Sequence, residues 1–141
     1  MYLLDTNVIS SLRRPDRATR VLNWLHDVAE EQLFLSVVSL GEIARGIAQQ
    51  EGRNPAFAQD LQSWLDRTTL LFADRLLPFG PEEALIWGRL SARIGHHGAG
   101  LQIAATALAR GAIVVTGDVA HFEPTGVRIE NPFTYLGPAR N

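Results

Sequence analysis

Very short apolar runs, separated by longer stretches with helical spacing, constrain this chain more than any other feature. Tyr2–Leu4, Leu33–Leu35, Leu76–Leu77, Ile113–Val115 and, more weakly, Val127–Ile129 read as strands. Between them Val8–Arg13, Arg17–Ala29, Leu40–Gln50, Ala56–Leu71, Glu82–Ile94 and Leu101–Arg110 read as helices. Val21, Trp24, Leu25 and Val28, or Phe57, Leu61, Trp64 and Leu65, fall on one side of their helices. Apolar strands alternating with helices predict an α/β fold whose mostly parallel sheet of about five strands is covered on both faces. A length of 141 residues suits one domain over 1–141 with its own core.

In such a sheet, sites form beyond the carboxyl ends of the strands. The residues that follow the strands therefore carry the functional reading. Asp5-Thr6-Asn7 follows the first strand, Ser36 and then Ser39-Leu40-Gly41-Glu42 follow the second, and Thr116-Gly117-Asp118 follows the fourth. Each acid has an ordinary structural explanation. Asp5 suits a helix N-cap, Ser39-x-x-Glu42 matches a capping box, and Asp118 suits a turn. Their joint arrival at equivalent strand ends favours a site. Converging carboxylates repel one another unless protons or cations intervene, and oxygen-rich clusters suit Mg²⁺ or Mn²⁺.

The helix at 101–110 closes on Arg110-Gly111, a basic last turn followed by a C′ glycine. Its opening, Gly98-Ala99-Gly100, offers no side chain to accept the first-turn N–H groups. His96 and His97 sit in a glycine-flanked connection with no second ligand at metal spacing, and are expected to be solvent-exposed. His121 has the same expectation, although it stands nearer the acidic set. Trp24, Trp64 and Trp87 are expected in the core or an interface. Net charge is −2, so no global basic field announces a nucleic-acid partner. The run Arg13, Arg14, Arg17, Arg20 reads as a solvated helix face. There are no cysteines, hence no disulfide framework. No basic-apolar leader opens the chain and no stretch reaches membrane-span length, so a cytoplasmic protein without membrane contact is expected.

The segments LLDTNVIS (3–10), LSVVSLGEIARG (35–46), IAATALARGAIVVTGD (103–118) and ENPF (130–133) together resemble the PIN-domain family. More closely they resemble the VapC-type toxins of bacterial type II toxin–antitoxin pairs, in the FitB-like branch. The resemblance implies a three-layer α/β/α sandwich and a Mg²⁺- or Mn²⁺-dependent endoribonuclease. It implies that Asp5, Glu42 and Asp118 are the catalytic, metal-binding set. A further acid of the family stands three residues before IAATA, where this chain has Gly100. Glycine has no side chain to coordinate with, so the resemblance predicts an activity lost or weakened here, unless water or Gln102 substitutes. Thr6 and Thr116 are expected to position the acids by hydrogen bonds, and Arg45, one turn beyond Glu42, to meet phosphate or to offset Glu42. The implied partners are RNA, a cognate VapB/FitA-type antitoxin, DNA only through that antitoxin, and a second copy of the chain. The alternative is a non-catalytic dimer that holds an antitoxin and tunes the DNA binding of the complex.

Overall fold

The computed structural model describes residues 1–137. Five parallel strands, β1 (Tyr2–Leu4), β2 (Leu33–Ser36), β3 (Leu76–Leu77), β4 (Ile113–Val115) and β5 (Ile129–Glu130), form one sheet in the order β3-β2-β1-β4-β5. Seven α-helices are present among the described residues: α1 (Thr6–Ser11), α2 (Thr19–Asp27), α3 (Val37–Glu51), α4 (Pro55–Leu71), α5 (Pro81–Ile94), α6 (Ala99–Arg110) and α7 (Val119–Phe122). β1 is central, with Leu3 level with Phe34 on one side and Val114 on the other.

The period of two along the strands divides the core into two layers. Leu4, Leu35 and Val115 pack with Val8, Ile9, Val21, Trp24, Ile43 and Leu65. Leu3, Leu77 and Val114 pack on the opposite face with Leu90, Ile103, Ala104, Ala107 and Phe122. The result is the three-layer α/β/α sandwich. The small residues of IAATA let α6 press flat on the sheet, and Ile103, Ala104 and Ala105 are wholly buried. Trp24 is core, 5.2 Å edge-on from Tyr2, and Trp87 packs edge-on against Phe79.

Several boundaries differ from the sequence reading, each for a local reason. The second-strand helix begins at Val37 rather than Leu40, because Ser36 Oγ accepts from the Val38 N–H at 3.0 Å and caps it. Ser39 is thus a buried residue inside α3, and the Ser39–Glu42 capping box does not form. α6 begins at Ala99 rather than Leu101, with Gly98 as an N-cap lacking any side-chain bond. Its expected C-terminal glycine holds: Gly111 adopts φ 66°. The last strand lies slightly later than Val127–Ile129. Gly126, at φ 83°, turns the chain first, and the ladder bonds run from Val114 N–H to Arg128 and from Thr116 N–H to Glu130.

Candidate functional site

β1 ends when the Asp5 N–H donates to Val115 O at 2.9 Å, and the chain turns at once into α1. Asp5 is buried. Its Oδ1 accepts from the Thr6 N–H at 2.8 Å, so it caps α1 as one reading of the sequence expects. Its Oδ2 accepts from Thr116 Oγ1 at 2.8 Å, and that hydroxyl in turn accepts from the Asp118 N–H at 3.0 Å. One threonine therefore fixes two of the three acids. Thr6 serves the third. Its Oγ1 lies 2.6 Å from Glu42 Oε1 and 2.8 Å from Ser39 Oγ. With a single proton, it donates to the carboxylate and accepts from the serine.

Asp5, Glu42 and Asp118 all line one open cavity of about 460 Å³, together with Thr6, Asn7, Ser10, Gly100, His121 and Phe122. No arginine stands among these lining residues. Burial raises the Asp5 carboxyl above its ordinary value. The bonds from Thr116 and the Thr6 N–H oppose that rise, and the charges of Glu42 and Asp118 add to it. Asp5 is the buried member of the three and Glu42 and Asp118 are exposed, so like charges converge on an open cavity whose lining includes no Arg among the described residues.

Gly117 explains why the TGD and ENPF segments belong together. A Cβ there would stand 2.7 Å from the Phe133 ring, so the glycine admits the ring against the turn that presents Asp118. Asn131 fixes that segment by accepting from the Phe133 N–H at 2.9 Å.

Other expectations need correction. Of the two roles expected for Arg45, the offset of Glu42 does not form: the residue is exposed on α3, outside the cavity lining, with no ion pair to Glu42 among the described residues. Gln102 does not line the cavity either. His121 is not a solvent-exposed loop residue: it is half-buried on α7 and faces the cavity. Its ring meets Phe122 edge-on at 5.3 Å and His96 at 5.4 Å. His96 and His97 are exposed, as expected.

Arg13 does not belong to a solvated face. It is half-buried, its guanidinium 5.2 Å from the Phe57 ring and 5.9 Å from Trp64. Those three line a groove between α1, α3 and α4 that shares Thr6, Ser10 and Glu42 with the acidic cavity. Ser10 is thus a contributor that the sequence reading did not name, and Asn7, Ser39, Arg13 and His121 are ones it named without a site role. The i, i+4 spacing of Thr6 and Ser10 was a usable signal for one face of α1, and Arg13 follows just past its C-cap Leu12. His121, one turn after Asp118, carried a similar one.

Comparisons with known proteins give the family of this chain. The PIN domain model matches residues 2–125. Toxin FitB of Neisseria gonorrhoeae is 34% identical, over 94% of this chain and 99% of that protein. VapC ribonuclease Y4jK of Sinorhizobium fredii is 36% identical, over 94% and 98%. The solved FitAB complex bound to an IR36 DNA fragment contains a chain with TM-score 0.81 and 32% identity, covering 99% of this chain and 100% of that one. The chain belongs to the PIN-domain family and, within it, to the FitB- and VapC-type toxins of toxin–antitoxin systems.

Proposed function

We propose that this chain is the toxin of a toxin–antitoxin pair and an endoribonuclease that depends on Mg²⁺ or Mn²⁺. The observation that carries the reading is the buried Asp5, facing Glu42 and Asp118 across a cavity lined by no arginine. Among the described residues no three acidic or histidine side chains close into a ready-made cage. The donor chemistry still fits a hydrated hard cation, which takes few carboxylates and keeps several waters. Asp5, Glu42 and Asp118 would hold it.

A divalent cation, when bound, supplies Lewis acidity toward water and toward the scissile phosphate. The residues of the chain do the rest. Asp5 is held immobile through both oxygens by the Thr6 N–H and Thr116, which fixes where positive charge is welcome. Glu42, steadied by Thr6, and Asp118, whose side chain caps no helix, orient water. Arg13, stacked between Phe57 and Trp64, offers a guanidinium to RNA phosphate in the adjoining groove. The names of the relatives support the assignment: one is a ribonuclease, and the FitAB complex was solved bound to DNA. An antitoxin of the FitA or VapB kind is the proposed partner, with DNA reached through it and a homodimer as the assembly.

Purified chain incubated with total RNA in Mn²⁺ should cleave it, and EDTA or Asp5→Asn should stop the cleavage. RNA cleavage that persists in EDTA contradicts the reading. Gly100 favours a second, weaker-activity outcome in which antitoxin binding persists without measurable cleavage. Co-purification with the product of the adjacent gene, in a chain inert toward RNA, identifies that case.

A further inference from the structure

Gly100 stands in the first turn of α6 and lines the acidic cavity. A Cβ built on it would lie 2.3 Å from His121 Nε2, 2.9 Å from Cδ2 and 3.5 Å from Cε1. The imidazole therefore occupies the space a side chain at position 100 would enter, and its Nε2 is the atom nearest that space. Any larger residue at 100 and this placement of His121 exclude each other. The ring is half-buried and held from two sides by Phe122 and His96, yet neither ring nitrogen makes a hydrogen bond among the described residues. It lies on the short helix that Asp118 opens, one turn on, and lines the same cavity as Asp5 and Glu42. The ring nitrogen without a partner lines the same cavity as the three carboxylates, although these side chains do not stand close enough, as placed, to form a finished metal cage.

We propose that His121 replaces the missing carboxylate at position 100 and gives a ring nitrogen to the cation held by Asp5, Glu42 and Asp118. This rests on the metal-dependent reading above. The exchange alters what the site prefers. A carboxylate at 100 would add a negative charge and a hard oxygen, which suits Mg²⁺; imidazole adds no charge and a nitrogen, which suits later first-row metals. The site becomes a mixed oxygen–nitrogen one. Affinity should climb along the series Mn²⁺, Co²⁺, Ni²⁺ more steeply than in an all-oxygen site. Gly100 is then no mere loss: it is the opening that admits the ring.

Calorimetric titration of the full chain with Mg²⁺, Mn²⁺ and Ni²⁺ tests this, alongside His121→Ala, Gly100→Asp and Asp5→Asn. A Zn²⁺ titration followed by the ring ¹⁵N resonances identifies the ligand directly. The parent should bind Ni²⁺ far more tightly than Mg²⁺, and His121 Nε2 should shift on Zn²⁺ addition. His121→Ala should lose Ni²⁺ affinity by no less than outer-shell losses cost, about 10–100-fold, with Mg²⁺ binding nearly unchanged. Gly100→Asp, by displacing the ring, should move the preference back toward Mg²⁺. Ni²⁺ binding by His121→Ala equal to the parent, or an unmoved His121 nitrogen, overturns the proposal. If Asp5→Asn still abolishes Mn²⁺ binding in that case, the metal-dependent reading survives. If the parent binds no cation saturably, both fall together.

Discussion

Asp5 and Glu83 are the two carboxylates buried among the described residues, and they keep opposite company. Glu83, in the first turn of α5, accepts from the Gly80 N–H at 3.1 Å and meets the Arg110 guanidinium of α6 at 3.3 Å. Its charge is answered from within the chain, and the pair ties α5 to α6. Asp5 receives a backbone N–H and a hydroxyl, and its charged neighbours are Glu42 and Asp118. Burial of charge is tolerated when it is paired and costly when it is not. Glu83 is therefore structure, and Asp5 is the acid whose charge the proposed cation would answer.

The largest expected effect separates the two most sharply. Asp5→Asn should reduce Mn²⁺ affinity and RNA cleavage by more than the loss typical of outer-shell groups, about 10–100-fold. In metal-free buffer at pH 7 the same substitution should stabilise the fold, because it removes a carboxyl whose pKa burial raises in the folded state. The direction follows from linkage. The raised folded value means the native chain binds the Asp5 proton more readily than the unfolded chain, whose value is near 3.8. The contribution of Asp5 to stability is full below that value and is lost as pH rises through the folded one. Melting scans without metal, from about pH 3.5 to about pH 7, bracket the ordinary carboxylate range and should show this loss in the parent and not in Asp5→Asn. A parent less dependent on pH than the variant would reverse the assignment.

Glu83→Ala should behave in the other way. It should destabilise the chain by about 1–3 kcal/mol, since it strands the Gly80 N–H and the part-exposed Arg110. Metal affinity, measured at a temperature where the variant is folded, should be unchanged. Urea melts and calorimetry on one preparation give both numbers. A loss of metal binding with the fold intact would erase the contrast between the two acids.

The difference between these acids was half legible from residues alone. Asp5, Glu42 and Asp118 declared themselves because parallel sheets send strand ends to one edge. Asp5 was also a helix cap, and nothing required a choice: one oxygen caps and the other meets Thr116. The capping box at Ser39 and Glu42 was a false alternative, because Ser36 had already started the helix. What stayed hidden depends on side chains meeting from distant segments. Arg13 reaches Phe57 and Trp64 across a helix interface, and His121 comes over Gly100 from another element. Spacing within one segment cannot report either meeting. The α6 opening was hidden for a simpler reason. Without an N-capping side chain the start had no marker, and Gly100 proves to be inside the first turn. A carboxylate introduced by Gly100→Asp would therefore face His121 rather than serve as the N-cap.

Thr116 offers a finer cut into the same comparison. Thr116→Val keeps the shape and removes the hydroxyl that holds Asp5 and receives the Asp118 N–H. Metal affinity should fall by about 10-fold, the lower end of outer-shell effects, and Thr116→Ser should recover it. Equal affinity in all three would show that Asp5 needs no such support. The smallest effect is expected at Arg13. Arg13→Ala gives up the cation–π contacts of a half-buried guanidinium, worth about 0.5–2 kcal/mol. It should weaken RNA binding about threefold in KM without altering kcat or metal affinity. A kcat loss as large as that of Asp5→Asn would move Arg13 into the reacting centre.

The central claim is that the Asp5 cluster is a charge the fold leaves for a cation to answer. Melting temperature at neutral pH against Mn²⁺ concentration, for the parent, Asp5→Asn and Glu83→Ala, addresses it directly. Ligand that binds only the native state stabilises by mass action, so the parent should melt progressively higher as Mn²⁺ rises. Glu83→Ala should start lower and climb in parallel with it. Asp5→Asn should start higher than the parent and stay flat. A parent whose melting temperature ignores Mn²⁺, or an Asp5→Asn variant that climbs with it, would contradict the account.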